Sequence, residues 1–212
     1  SMSSDILSEG GLPEPNYNLN IGGGSHAENT GKLLIAFEKV YLKTRPDLII
    51  TFGDTDTTLA AALAGCKLQI PIVHIEAGLR SFNLSMPEEQ NRILVDRVSS
   101  MLFCPNDRAV RNLNAEGIRD HVYNVGDIMC DAFHLFKPPL ISHTRRKDLI
   151  VVTLHRPATV DSQNLLTSIF KQLNDLAKEY EVLLPIHPRI KHNISSYEAV
   201  TSNIVFTEPI TY

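Results

Sequence analysis

PDLIITFGDTDTTLAAALAGCKLQIPIVHIE, Pro46 to Glu76, holds the pattern from which the fold can be read. PDLIITFG is a short apolar strand that follows a proline. TTLAAALAG reads as a helix closed by Gly65. IPIVHI is a second apolar strand. Short unbroken apolar strands alternating with helices indicate a parallel sheet covered on both faces.

The alternation extends in both directions. Upstream, Asn29 to Thr44 places Leu33, Leu34, Phe37 and Val40 at helical spacing. The first 25 residues carry LPEP and IGGG and read as a short helix and then loops. Downstream, PEEQNRILVDRVSS predicts a helix with Pro87 in its first turn and acids beside it, which suits the N-terminal dipole. SMLFCP is a third strand, DRAVRNLNAEG a helix ending at Gly117, and HVYNVG a fourth strand. Residues 137–147, KPPLISHTRRK, carry two prolines and four basic residues and read as a linker. Beyond it DLIVVTLH is a strand. Gln163 to Tyr180 is a helix with Leu165, Leu166, Ile169, Phe170, Leu173, Leu176 and Ala177 on one face. VLLPIH, a further helix and SNIVFTEP follow. The expected architecture is α/β, with two Rossmann-like doubly wound parallel-sheet domains at residues 1–136 and 148–212. The second is cut short.

Composition narrows the function. The chain has 212 residues, a formal charge of −4 and 43% hydrophobic content. That balance argues against nucleic-acid binding through bulk charge. No apolar run reaches the roughly 18 residues of a membrane span. Cys66, Cys104 and Cys130 lack CxxC spacing and read as buried thiols in a reducing, cytoplasmic setting.

In open parallel sheets, ligands bind beyond the carboxyl ends of the strands. Asp54 follows LIITFG, Glu76 follows PIVHI, His155 follows LIVVTL and His187 follows LLPI. Four strands from both units deliver titratable residues at the same kind of end, as a cleft between domains would need. Each also has a plainer reading. Asp54 and Asp56 suit a helix N-cap. Of the adjacent Glu88 and Glu89, only one can face a cleft. Arg92 stands one helical turn from Glu88 and could form a surface pair with it. LHRP and IHPRIK each join a possible acid or base, His155 or His187, to a guanidinium suited to phosphate, Arg156 or Arg189.

Other patterns fail. GGGSHAENTGK has six residues between Gly24 and Gly31 and Leu33 after the lysine, so it is not a phosphate loop. No GxGxxG follows a strand, and HExxH, CxxC and GxSxG are absent. No redox cofactor or metal is expected.

GDTDTT, HIEAGLRS, MPEEQNR, VGDIMCDA, VTLHRP and IHPR, in this order, resemble the UDP-N-acetylglucosamine 2-epimerases, from about residue 14 to the end. The resemblance implies two Rossmann-like domains of glycosyltransferase-B-like type with a UDP-N-acetylhexosamine between them. It implies reversible inversion at C2, by elimination of UDP across C1–C2 and re-addition to the other face. By motif position, Asp54, Glu76 and Glu88 match the cleft carboxylates and His155 the catalytic histidine. Arg80 falls in the HIEAGLR motif and is expected at the substrate. Arg92 would hold Glu88. Arg156, His187 and Arg189 would face the phosphates or the nucleotide. A homodimer is implied too. The family's pattern has a basic strand and loop before this chain's start and a nucleotide-holding segment after its end. The chain thus reads as the middle of such an enzyme. Related possibilities are a hydrolysing enzyme that releases N-acetylmannosamine and UDP, a glycosyltransferase of similar architecture, and a nucleotide-sugar-binding module without activity.

Overall fold

The computed structural model describes residues 13–136, 148–186, 188–191 and 194–208. The chain divides into two compact units, one built on the first four strands and the other on the last three.

In the first unit, α1 (His26–Thr44) leads into β1 (Ile49–Phe52), α2 (Asp56–Lys67), β2 (Ile72–Ile75), α3 (Pro87–Val98), β3 (Met101–Cys104), α4 (Asp107–Ala115), β4 (Val122–Asn124) and α5 (Ile128–Phe136). The strands form one parallel sheet in the order β1-β2-β3-β4. Ile49 pairs with Ile72 and Phe52 with Ile75, so β1 and β2 end together. β3 and β4 continue the register through Val73↔Met101 and Leu102↔Val122.

The alanines of α2 explain its place. Ala60 and Ala62 are fully buried, and their small side chains let the helix lie close to the sheet. Gly65 does not close this helix. It lies inside α2, where an added Cβ would stand 2.4 Å from Ile49 Cδ1. Its role is close helix–strand approach, and the C-cap falls at Leu68. Tyr41, Ile49, Leu59, Ile72 and Val95 complete this core. A second cluster under β3 gathers Ala77, Leu102, Cys104, Ala109 and Leu113. Burying each large aliphatic side chain contributes about 1.5–3 kcal/mol. Cover on both faces is realised at β2, whose Ile72, Val73 and His74 are buried. It is not realised at β1, where Ile50 and Phe52 are exposed.

In the second unit, β5 (Leu149–Val151), β6 (Glu181–Pro185) and β7 (Val205–Thr207) form a parallel sheet in that order. Between them lie α6 (Pro157–Val160), α7 (Gln163–Leu176), α8 (Pro188–Lys191) and a 3-10 helix (Ile194–Val200). Leu166 and Phe170 of α7 are buried against Val182, Leu184 and Ile190. Leu165 and Leu176, expected on the same face, are exposed, so the buried stripe is narrower than expected. The proposed linker, residues 137–147, lies outside the described residues.

Only Cys104 of the three cysteines is buried, and burial pushes its thiol up to about 11. Cys66 and Cys130 are exposed, contrary to expectation.

Candidate functional site

The co-terminating ends of β1 and β2 bring two turns together. Gly53 N donates to Ile75 O at 3.2 Å, which carries the ladder one step past the strands. Asp54 follows. Neither aspartate of GDTDTT caps the next helix. Thr55 is the N-cap of α2, and its hydroxyl accepts from Thr58 N. Asp54 is therefore free for another partner.

Glu76 stands at φ +73°, a left-handed conformation rare for a side chain of this kind. The turn is held by Phe103 O, which accepts from both Glu76 N and Ala77 N at 3.0 Å. Strain of this kind clusters at functional sites because the surroundings must enforce it. The bend turns Glu76 back over the first turn. Its Oε2 lies 3.8 Å from where a Cβ on Gly53 would be. Burial raises the Glu76 carboxyl above the ordinary range. Asp54 and Asp127 add to the rise, while Arg92 and His74 oppose it.

α3 supplies the opposite charges. Pro87 opens it at a position that needs no N–H donor. Of the two acids, Glu88 is exposed and Glu89 is 1% exposed. Glu89 accepts from Ser81 N at 2.8 Å and Phe82 N at 2.9 Å, which fastens the loop after β2. Burial works to raise its carboxyl, but these donors and Arg92 outweigh it and hold the group below the usual range. Arg92 does not hold Glu88. It donates Nη1 to Glu89 and Nη2 to Asp54, and its Nε is buried without a partner. Asn91 donates to Asp54 O at 2.9 Å and to Asp56 Oδ1 at 3.2 Å.

Arg80, expected at the substrate, is engaged within the protein. Its side chain is 1% exposed, with Nη1 on Asp96 at 2.7 Å and Nε and Nη2 on the two Glu116 oxygens. Burial opposes its charge, and Glu116 and Asp96 together hold the guanidinium firmly protonated. Asp96 is fully buried and also meets His74 Nδ1 at 2.7 Å and Gly78 N at 3.1 Å. A cavity of about 350 Å³ lies beside Arg92, lined also by Ser81, Asn106, Arg108 and Asn112 but by neither Asp54 nor Glu76.

In the second unit, His155 and Arg156 are exposed and follow β5 by four and five residues. His187 and the side chain of Arg189 lie outside the described residues. The structure thus brings together Asp54, Glu76 and Arg92 in one unit.

Asn91, Asp96 and Asp127 were not anticipated, and Glu89 was weighed only as the alternative to Glu88. Glu89, Arg92 and Asp96 recur at i, i+3 and i+7, one polar helical face where an apolar one is usual. That stripe was a legible signal. Asp127 follows β4 as Asp54 follows β1.

Among the described residues, no group of three or more His, Cys, Asp or Glu is placed to hold a metal ion, and no helix is long and apolar enough to cross a membrane.

A family model described as UDP-N-acetylglucosamine 2-epimerase matches residues 1–212. A UDP-2,3-diacetamido-2,3-dideoxy-D-glucuronate 2-epimerase of Pseudomonas aeruginosa is 44% identical over 198 residues, 90% of this chain and 56% of that protein. A UDP-N-acetylglucosamine 2-epimerase of Methanocaldococcus jannaschii is 39% identical, across 100% of this chain and 63% of that protein. The crystal structure of the Methanocaldococcus jannaschii UDP-GlcNAc 2-epimerase with UDP-GlcNAc and UDP superposes with a TM-score of 0.84 at 38% identity, over 99% of this chain and 62% of that one. A Neisseria meningitidis UDP-GlcNAc 2-epimerase bound to UDP-GlcNAc gives 0.83 at 28% identity, over 100% of this chain and 62% of that one. The chain spans about three fifths of the length of these relatives.

Proposed function

This chain belongs to the UDP-N-acetylglucosamine 2-epimerase family, and from that membership we propose that it carries the carboxylate side of a site that inverts C2 of UDP-N-acetylglucosamine. The observation that carries the reading is Glu76, bent back at φ +73° beside Asp54 with its carboxyl raised. A base poised nearer neutrality than an ordinary glutamate matches the task of taking a carbon-bound proton.

In the proposed reaction, Glu76 accepts the C2 proton. The C1–O bond breaks with its electron pair leaving on UDP, and a C1=C2 double bond forms. Inversion follows when a proton returns to the opposite face of C2 and the UDP oxygen re-adds at C1. Two faces require two proton-handling groups, and Asp54 and Glu88 are the candidates for the second. Arg92 orients Asp54. His155, with Arg156, His187 and Arg189, would serve the departing diphosphate from the second unit. The homodimer and cytoplasmic setting belong to the same proposal.

The test is proton NMR with UDP-N-acetylglucosamine in D₂O. Deuterium entering C2 with growth of UDP-N-acetylmannosamine is expected. Free N-acetylmannosamine and UDP would move the chain to the hydrolysing branch. Persistence of both substrate and its C2 proton would favour a binding module without activity.

One observation favours a second sugar. The relative at 44% identity is named for a 2,3-diacetamido glucuronate. A larger kcat/KM on that UDP-uronate than on UDP-N-acetylglucosamine would reassign the substrate and keep the chemistry.

A further inference from the structure

We propose that His74 is a positioning residue: a buried imidazolium, paired with Asp96, that locks the turns bearing Asp54 and Glu76 onto α3. His74 is fully buried in the middle of the sheet. Its two ring nitrogens face two oxygens, Asp96 Oδ1 at 2.7 Å and Gly53 O at 2.8 Å. A backbone carbonyl can only accept. Asp96 Oδ2 already accepts from Gly78 N and from Arg80 Nη1, as an ionised carboxylate does. A neutral imidazole would turn a bare lone pair toward one of these oxygens. Both ring nitrogens therefore carry protons.

Charge balance supports this state. Asp96 lies between His74 and Arg80, and Arg80 lies between Asp96 and Glu116. The series alternates in sign and sums to zero. Its carboxylate oxygens meet donors, which is the condition under which buried ions are tolerated.

The connections explain why such a costly group is kept there. Gly53, bonded to the imidazolium, immediately precedes Asp54. Gly78, bonded to Asp96, comes two residues after Glu76. One carboxylate on α3 thus anchors both turns, directly in one case and through His74 in the other. The same helix sends Arg92 to Asp54. Misplacing reacting groups by about 1 Å can cost about 100-fold in rate. The cation on β2 also favours the ionised form of Glu76, with Arg92 of α3 and against burial, Asp54 and Asp127.

The ring state can be read without any substrate. Long-range proton–nitrogen NMR of the full chain labelled with ¹⁵N-histidine is expected to show two protonated ring nitrogens for His74 at neutral pH. A bare ring nitrogen would overturn the proposal, and this arm needs no variant to fold. The kinetic arm rests on the C2 inversion proposed above. His74→Asn keeps a donor toward Asp96 and loses Gly53. His74→Gln keeps a donor toward Gly53 and loses Asp96. Each is expected to lower kcat about 100-fold with KM little changed. Each also removes a positive charge near Glu76, so the acid limb of the pH–rate profile moves to higher pH. A merely structural residue would not move that limb. Wild-type kcat and profile in either folded variant would overturn the positioning role. A wild-type chain that leaves C2 unexchanged would reject the substrate reading instead, and the ring signature would then decide the proposal.

Discussion

Arg92 on α3 bridges Asp54 at the end of β1 and Glu89 one turn earlier on its own helix, giving Nη2 to the first and Nη1 to the second. A lysine offers one compact ammonium and cannot span both carboxylates in this geometry. Arg92→Lys is expected to lower C2 exchange about 100-fold through misplacement of Asp54. Arg92→Ala should in addition cost about 3 kcal/mol, because it leaves two carboxylates without their cation. Exchange rates and urea unfolding measure the two effects separately.

Glu76→Gln separates function from stability. A neutral amide cannot take the C2 proton, so exchange should fall to background. The raised carboxyl is a stability cost when ionised. Between its unfolded and folded pKa values, the unfolded chain has released a proton that the native one keeps. Wild-type stability therefore falls as pH rises through that window. The variant should melt a few degrees higher than wild type at neutral pH, with the gain absent below the unfolded glutamate value. Thermal melts at the two pH values check this, and an unchanged melting temperature at neutral pH would count against it.

Glu89 has the opposite sign. Its carboxyl is held low, so its contribution is present above the unfolded value and lost as pH falls through the folded one. Glu89→Gln turns an amide toward the N–H groups of Ser81 and Phe82, where only an acceptor fits. The loss should be about 3 kcal/mol at pH 7 and smaller in acid. Urea titrations at neutral and acid pH provide the comparison.

Gly78 has φ +78°, and a Cβ there would sit 2.5 Å from Ala109 O. Backbone cannot move aside as a side-chain tip can. Gly78→Ala should cost about 2–5 kcal/mol, from left-handed strain plus overpacking. Gly117 has φ +82° but open space around it. Gly117→Ala should cost only the conformational part, about 1–2 kcal/mol. Equal losses in the two variants would show that the contact with α4 is unimportant.

The sheet strands were legible because short apolar runs between helical patterns leave few alternatives. Asp54 and Glu76 were legible for a related reason: both follow strands of one parallel sheet, and strands in register end at the same level. The closing glycine of α2 was misread because Gly65 carries two meanings, a helix stop or a close approach. Only the neighbour Ile49 distinguishes them.

Charges were harder. Adjacent positions on a helix point about 100° apart, so the docking of α3 decides which of Glu88 and Glu89 is buried. Arg80 lies in a motif that suggested substrate contact, yet its partners Asp96 and Glu116 are sixteen and thirty-six residues away in sequence. Nothing local to Leu79-Arg80-Ser81 announces them. By itself, the amino-acid sequence determined the order of strands and helices and which strand ends carry acids, because these depend on period and local chemistry. The tertiary structure alone decided which acid faces which cation. Electrostatic partners are set by distance and burial, and both arise only when separate segments are packed together.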